Sequence, residues 1–191
     1  MIAMATLATQ TLREAAAIHL KDIKDAGVDG DADARWVWIK IGPIPFAYPN
    51  TKARKRLVQV HDLHHLLTGY PTDLVGEAEL GAWEIGTGIR DRSAVRYEIR
   101  VLGFMLPRFP SRLRTAFVRG RHCENLIGRH LDDAMLARTV GDLRCELGLE
   151  GPMPDATAED LREWRHWAAK AIAVVWGPIV PIAAIAWWWL R

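Results

Sequence analysis

His61, Asp62 and His65 have the types and spacing that bind a divalent cation, and Glu77 follows downstream. An α-helix turns about 100° per residue, so the two histidines would stand one turn apart, with Asp62 within the same quarter of the circumference. Two imidazoles and one carboxylate on a face make an open half-site. A fourth ligand must come from elsewhere, and Glu77 is placed to supply it once the chain has reversed. Mixed nitrogen and oxygen donors suit zinc first, with manganese, iron or cobalt as alternatives. His64 falls about 60° to the other side of His61 and reads as a residue behind the ligands or at the surface.

The elements that must position these residues are also legible. Gly69 can end the first ligand helix, expected near 52 to 68, in a left-handed conformation. Tyr70-Pro71 blocks its continuation, and Thr72 or Asp73 can cap the next helix. That helix carries Glu77 and, seven residues on, Glu84 on nearly the same face. Glu84 is a weaker candidate, as a general base or a partner to a ligand; an ordinary polar or helix-pairing role is the alternative. Gly76, Ala78, Gly81 and Ala82 are small enough for two backbones to approach closely. Glu79 is a further acid on this helix, while Trp83 and Ile85 read as core.

The periodicity predicts helices near 5 to 26, 93 to 106, 111 to 118 and 124 to 148, and a last helix opened by a capping box at Thr157–Asp160. Trp36–Ile41 is rich in β-formers and reads as an edge strand or an extended arm. Thr51 can cap the first ligand helix, and Ser111 a later one. The class is mainly α, a single helical domain over 1–168 with an apolar segment over 169–191. His122 and His130 read as surface or structural histidines.

Composition narrows the partners. The chain has 191 residues, half of them hydrophobic, and a net charge of +2. It is long enough for a core and gives no reason to expect nucleic acid. The basic run Lys52-Ala53-Arg54-Lys55-Arg56 reads as a solvated first turn or, more sharply, as a contact for anionic headgroups. Cys123 and Cys145 lack CxxC spacing and read as free thiols in a reducing compartment.

From Ala171 to Leu190 the chain runs 20 residues without a charge. A membrane-spanning helix needs about 20 apolar residues. Trp164 and Trp167 lie before the run and Trp187 to Trp189 at its end, as an aromatic belt at each interface would require. Arg162, Arg165 and Lys170 precede it and put the domain on the cytoplasmic side. A membrane anchor is therefore expected. Pro178 and Pro181 interrupt the run, which leaves a re-entrant, interfacial or groove-covering helix as alternatives.

The stretch from Leu57 to Gly88 resembles the coenzyme Q (ubiquinone) biosynthesis protein four family. Its signature is His-Asp, two residues, His, eleven residues, Glu, and His61-Asp62, His65 and Glu77 match it without a gap. Leu67-Thr68-Gly69, Thr72-Asp73-Leu74 and Gly76-Glu77 look alike too, and Leu143–Gly148 with Pro152 is a weaker match. The resemblance implies a mostly helical, membrane-associated protein whose metal ligands are His61, Asp62, His65 and Glu77. It further implies an apolar groove for isoprenoid lipid. The implied activity is oxidative decarboxylation at ring carbon one of a polyprenylated 4-hydroxybenzoate.

The expected cofactor is thus a divalent metal, zinc first, with Glu77 both ligand and catalytic residue. Expected partners are the polyprenylated precursor or another isoprenoid lipid, the membrane, other ubiquinone-biosynthesis proteins and a second copy of the chain. With no transit segment apparent, a bacterial inner membrane is the expected location. Two other functions compete. One is a non-catalytic lipid-binding scaffold with a structural metal, which a closed four-ligand site would suit. The other is a phosphohydrolase of the HD type, which would need His19 and one of Asp132, Asp133 or Asp142 around its metal.

Overall fold

The structure is a computed structural model that describes residues 7–25, 35–41, 44–49, 52–178 and 187–189. In chain order its elements are α1 (Leu12–Asp25), β1 (Trp36–Ile41), β2 (Ile44–Pro49), α2 (Lys52–Thr68), α3 (Leu74–Gly86), α4 (Arg92–Met105), α5 (Pro110–Arg121), α6 (Asp133–Leu136), α7 (Val140–Glu146) and α8 (Ala158–Trp176). The mainly α expectation holds. The expected strand pairs with a second one in an antiparallel hairpin, with Trp36 opposite Pro49 and Ile41 opposite Ile44. The expected single domain divides into two compact bodies, Met1–Gly69 with Leu126–Arg144, and Tyr70–Asn125 with Cys145–Arg191.

The first body is closed by backbone pairing between distant segments. Leu12 N–H donates to Arg138 O at 2.8 Å, and Val140 N–H donates to Gln10 O at 2.9 Å. Arg13 and Asp133 pair at 2.6 Å on the surface, which adds little. Leu12, Ala15, Leu63, Leu67, Val140 and Leu143 are buried here. The continuous helix expected over 124–148 is instead two short helices, α6 and α7. Asp132 caps α6 by accepting from Met135 N–H at 2.8 Å. Thr139, just before α7, is taken up in an isolated bridge to Thr11. Local capping and tertiary pairing outweigh the helical periodicity.

The second body is built around α3, which packs on α4 and α5; α8 packs on α4 and α5 in turn. Asp73 caps α3, accepting from Val75 N–H and Gly76 N–H, and Asp91 caps α4 in the same way. Helix α5 starts at Pro110, without a side-chain cap. Proline suits the first helical position, so the cap expected at Ser111 is displaced. Small residues set the spacing between helices. A Cβ at Gly120 would lie 2.1 Å from Trp83 O, and one at Gly86 would lie 2.3 Å from Phe117 O.

The apolar tail departs from its expectation. Among the described residues no helix is long and apolar enough to cross a membrane. Its first residues belong to α8, which begins at the Thr157–Asp160 capping box and runs to Trp176. Ala171 packs against Gly103, and Trp176 Nε1–H donates to Gly103 O at 2.9 Å. This stretch is therefore the end of an amphipathic helix held by its neighbour, with charges in its first half. Residues 179–186, with Pro181, lie outside the described residues, as do Thr51 and the side chains of the run at 52–54 and 56.

Candidate metal-ligand residues

Helix α2 presents the histidines as their spacing predicts. His61 and His65 stand one turn apart with ring centroids 5.0 Å apart, edge to face. They offer ligand nitrogens within 4.8 Å of each other. His65 is buried and His61 half-buried, so the pair opens on one side. The helix then stops at Gly69, which takes φ +79° while its N–H donates to His65 O at 2.9 Å. Asp62 is half-buried beside them, but its carboxylate does not join the pair within that distance. Its side chain is short, and its position is rotated about 100° from His61.

His64 lies neither behind a ligand nor at the surface. It is fully buried, and Leu126 N–H donates to its Nε2 at 2.9 Å. That nitrogen is thereby committed to the backbone of a distant segment and is lost to a metal. Thr68 Oγ1 donates to His64 O at 2.6 Å, and the Arg144 guanidinium donates to Leu67 O. The C-terminal turn of the histidine helix is thus held by its own Thr68 and by Leu126 and Arg144 from elsewhere in its body.

Helix α3 carries the acids of the second body. Glu77 is half-buried in its first turn, and its N–H donates to Asp73 O at 2.8 Å. Glu84 is 1% exposed and Glu98, on α4, is 3% exposed. Their carboxylate oxygens lie within 4.8 Å of each other. Two carboxylates buried so closely require a counter-charge or a shared proton. The close approach is made by Gly81, where a Cβ would lie 2.2 Å from Glu98 Oε2. Glu98 escaped the sequence reading. Its signal was a charge on the apolar face of an amphipathic helix, among Ala94, Ile99 and Leu102.

Other acids and histidines have structural work. Glu79 takes two hydrogen bonds from Arg112, at 2.8 Å and 2.6 Å. His122 Nε2 lies 3.1 Å from Asp160 Oδ2, and His130 is exposed. Trp83 and Ile85 are core, as expected. Burial pushes the Tyr70 phenol above its ordinary value, partly offset by the Arg119 guanidinium, which sits 5.5 Å over the ring. Burial likewise raises the Cys123 thiol. Neither cysteine forms a disulfide. Asp132 is engaged in capping and Asp133 pairs with Arg13, so two of the three acids an HD phosphohydrolase would draw on are otherwise used.

The donors present fit a divalent cation by their chemistry. Two imidazoles one turn apart on one helix are borderline donors of the kind zinc, manganese or iron accepts.

The chain is similar to two curated fungal proteins. One is the ubiquinone biosynthesis protein coq4, mitochondrial, of Talaromyces stipitatus, 33% identical over 118 residues, covering 59% of this chain and 38% of the relative. The other is the protein of the same name from Talaromyces marneffei, 34% identical over 118 residues, with the same coverage of each chain. The match thus takes in about two fifths of the length of these relatives. No family model matches the chain, and no solved structure matches it. The likeness to the ubiquinone biosynthesis protein four family is shown by these relatives. Both are named as mitochondrial, and neither supports the expected bacterial inner membrane.

Proposed function

We propose, from its likeness to proteins named for ubiquinone biosynthesis, that this chain acts in ubiquinone biosynthesis as a metal-dependent enzyme on a polyprenylated 4-hydroxybenzoate. The similarity at 33% identity is the observation that carries this reading, and the histidine pair of α2 supports it. The proposed ligands are His61, Asp62, His65 and Glu77, with zinc first and iron, manganese or cobalt as alternatives. Asp62 would join by a rotation of its side chain.

The proposed reaction replaces the carboxylate at ring carbon one by oxygen. The carboxylate leaves as carbon dioxide, one atom of dioxygen becomes the new ring oxygen and the other leaves as water. The electron-rich phenol supplies the electrons, so the ring ends at the quinone level and no outside reductant is needed. A bound divalent cation would supply Lewis acidity at the substrate carboxylate or phenolate; zinc would supply no electron, having one oxidation state. His65, buried on α2, holds its imidazole in place through packing. Glu77, half-buried on α3, would be both a ligand and the catalytic carboxylate.

The test is metal content followed by turnover. Purified full-length protein should carry about one divalent ion per chain, and His65→Ala and Glu77→Ala should each lose most of it. A single turnover with a prenylated 4-hydroxybenzoate and dioxygen should release carbon dioxide in the parent and not in Glu77→Ala. Failure to bind zinc, manganese, iron or cobalt removes the proposal. Metal without turnover under any of these ions favours the second reading, a lipid-binding scaffold, for which the exposed Tyr97, Phe104, Ile172 and Val174 speak.

A further inference from the structure

We infer that His64 is a positioning residue: its bond to Leu126 fixes the rotation of α2 and so holds His61 and His65 ready for a cation. This role rests on the proposed metal-dependent function and adds to it a residue outside the ligand set. His64 lies between the two histidines in the chain but not on their face, being rotated about 60° from His61 and about 100° from His65. It is fully buried, as is Leu126. Leu126 N–H donates to His64 Nε2 at 2.9 Å across 62 residues of chain. Accepting that bond uses the lone pair of Nε2, so the ring carries its proton on Nδ1. An apolar side chain would fill the same buried space more cheaply. What the imidazole adds is the acceptor.

Of the three bonds at this end of α2, that one governs the angle of the helix. Thr68 bonds back to the carbonyl of His64 in its own helix, which leaves rotation free. Arg144 reaches the Leu67 carbonyl, which points along the helix axis, so it holds the end of α2 more than its angle. The His64 ring projects sideways from the axis, and Leu126 holds it there.

The angle matters because coordination is exacting. Side-chain tips lie roughly 5–6 Å from a helix axis, so a rotation of about 20° carries them about 2 Å. Ligand distances tolerate about 0.2 Å. The rings of His61 and His65, with centroids 5.0 Å apart, would swing together with the helix, while a ligand from any other element stayed behind. Groups that orient metal ligands are worth about 10- to 100-fold in affinity.

The experiment reads cobalt(II) binding to the full chain by the visible absorption of the bound ion, alongside the urea midpoint. His64→Gln puts an amide oxygen where Nε2 stands and keeps the acceptor, whereas His64→Asn puts it where Nδ1 stands, short of Leu126. Both bring the same amide to the same buried position. His64→Gln should bind cobalt within about threefold of the parent, and His64→Asn about tenfold or more weakly, with an altered spectrum. Leu12→Ala, which thins the core of the same body away from the bond, should lower the urea midpoint and leave cobalt affinity within about threefold. Equal binding by the Gln and Asn variants overturns the role of His64 and leaves the metal site standing. So does a loss in His64→Asn no larger than in Leu12→Ala at the same midpoint, since His64 then only supports the fold. A parent that takes up no cobalt, zinc, manganese or iron overturns the metal site, and this role with it. A second readout needs no variant. Coupling is reciprocal, so zinc should slow exchange of the Leu126 amide hydrogen by about tenfold, and that of Val140, bonded to Gln10 O in the same body, by less. A Leu126 amide that bound zinc leaves unchanged overturns the role.

Discussion

Helices α3 and α8 are both rich in apolar residues, yet they meet opposite fates. From Ala78 to Gly86 every residue of α3 is buried, including Glu79 and Glu84. Helix α8 buries Asp160, Trp164 and Ala171 and leaves Ile172 and Val174 exposed. The difference lies in small residues more than in apolar content. Gly86 on α3 and Gly120 on the facing α5 remove side chains where they would meet the facing backbone, and Gly81 makes room for the Glu98 side chain. Helix α8 meets α4 closely at Gly103, and its other sides have no such neighbour among the described residues. A helix apolar on every side is normally covered. The second half of α8, with Ile172 and Val174 exposed, is the exception.

The comparison is sharpened most by filling the tight contact. Gly120→Val should destabilise the protein by about 3 kcal/mol, since its new Cβ meets the backbone of α3 and neither helix can yield. The urea midpoint measures this. Asp160→Ala comes next, at about 2 kcal/mol. Asp160 accepts from Thr157 N–H and hydroxyl, from Arg121 and from His122, and it ties α5 to the start of α8. Gly103→Val should cost less, about 1 kcal/mol, because the end of α8 can shift outward. Phe104→Ser should move stability by no more than about 0.5 kcal/mol. A large loss from Phe104→Ser would show that α4 is covered there and break the contrast.

Asp160 also predicts a pH dependence. Burial would raise its carboxyl, but the hydrogen bonds from Thr157, His122 and Arg121 prevail and hold it well below the usual carboxylate range. A group depressed in the folded state stabilises fully above its unfolded value and loses that contribution as pH falls through the folded one. Stability should therefore begin to fall below about pH 4 and continue down from there. Asp160→Ala should flatten that part of the curve in denaturation measured across acid pH.

Much of the local architecture was legible, for reasons visible in particular residues. The stop at Gly69, the cap at Asp73 and the capping box at Thr157 are short-range chemistry, complete within four residues. The histidine pair follows from helical pitch alone. What eluded the reading depends on distant segments. His64 is turned into a structural acceptor by Leu126 N–H, 62 residues away. The expected 124–148 helix gives way to capping at Asp132 and pairing of Thr139 with Thr11. Glu98 comes beside Glu84 only because Gly81 lets α4 approach.

By itself the sequence determined that His61 and His65 share one helix face and where the helices carrying the candidate ligands begin and end, because capping and pitch act over a turn or two. It also determined the likeness to ubiquinone-biosynthesis proteins, carried by residue identity alone. Only the tertiary structure decided which apolar faces are covered, which histidine is spent on backbone and which acids are buried together. Those outcomes depend on backbones separated in the chain coming within van der Waals reach, and no local pattern records that distance.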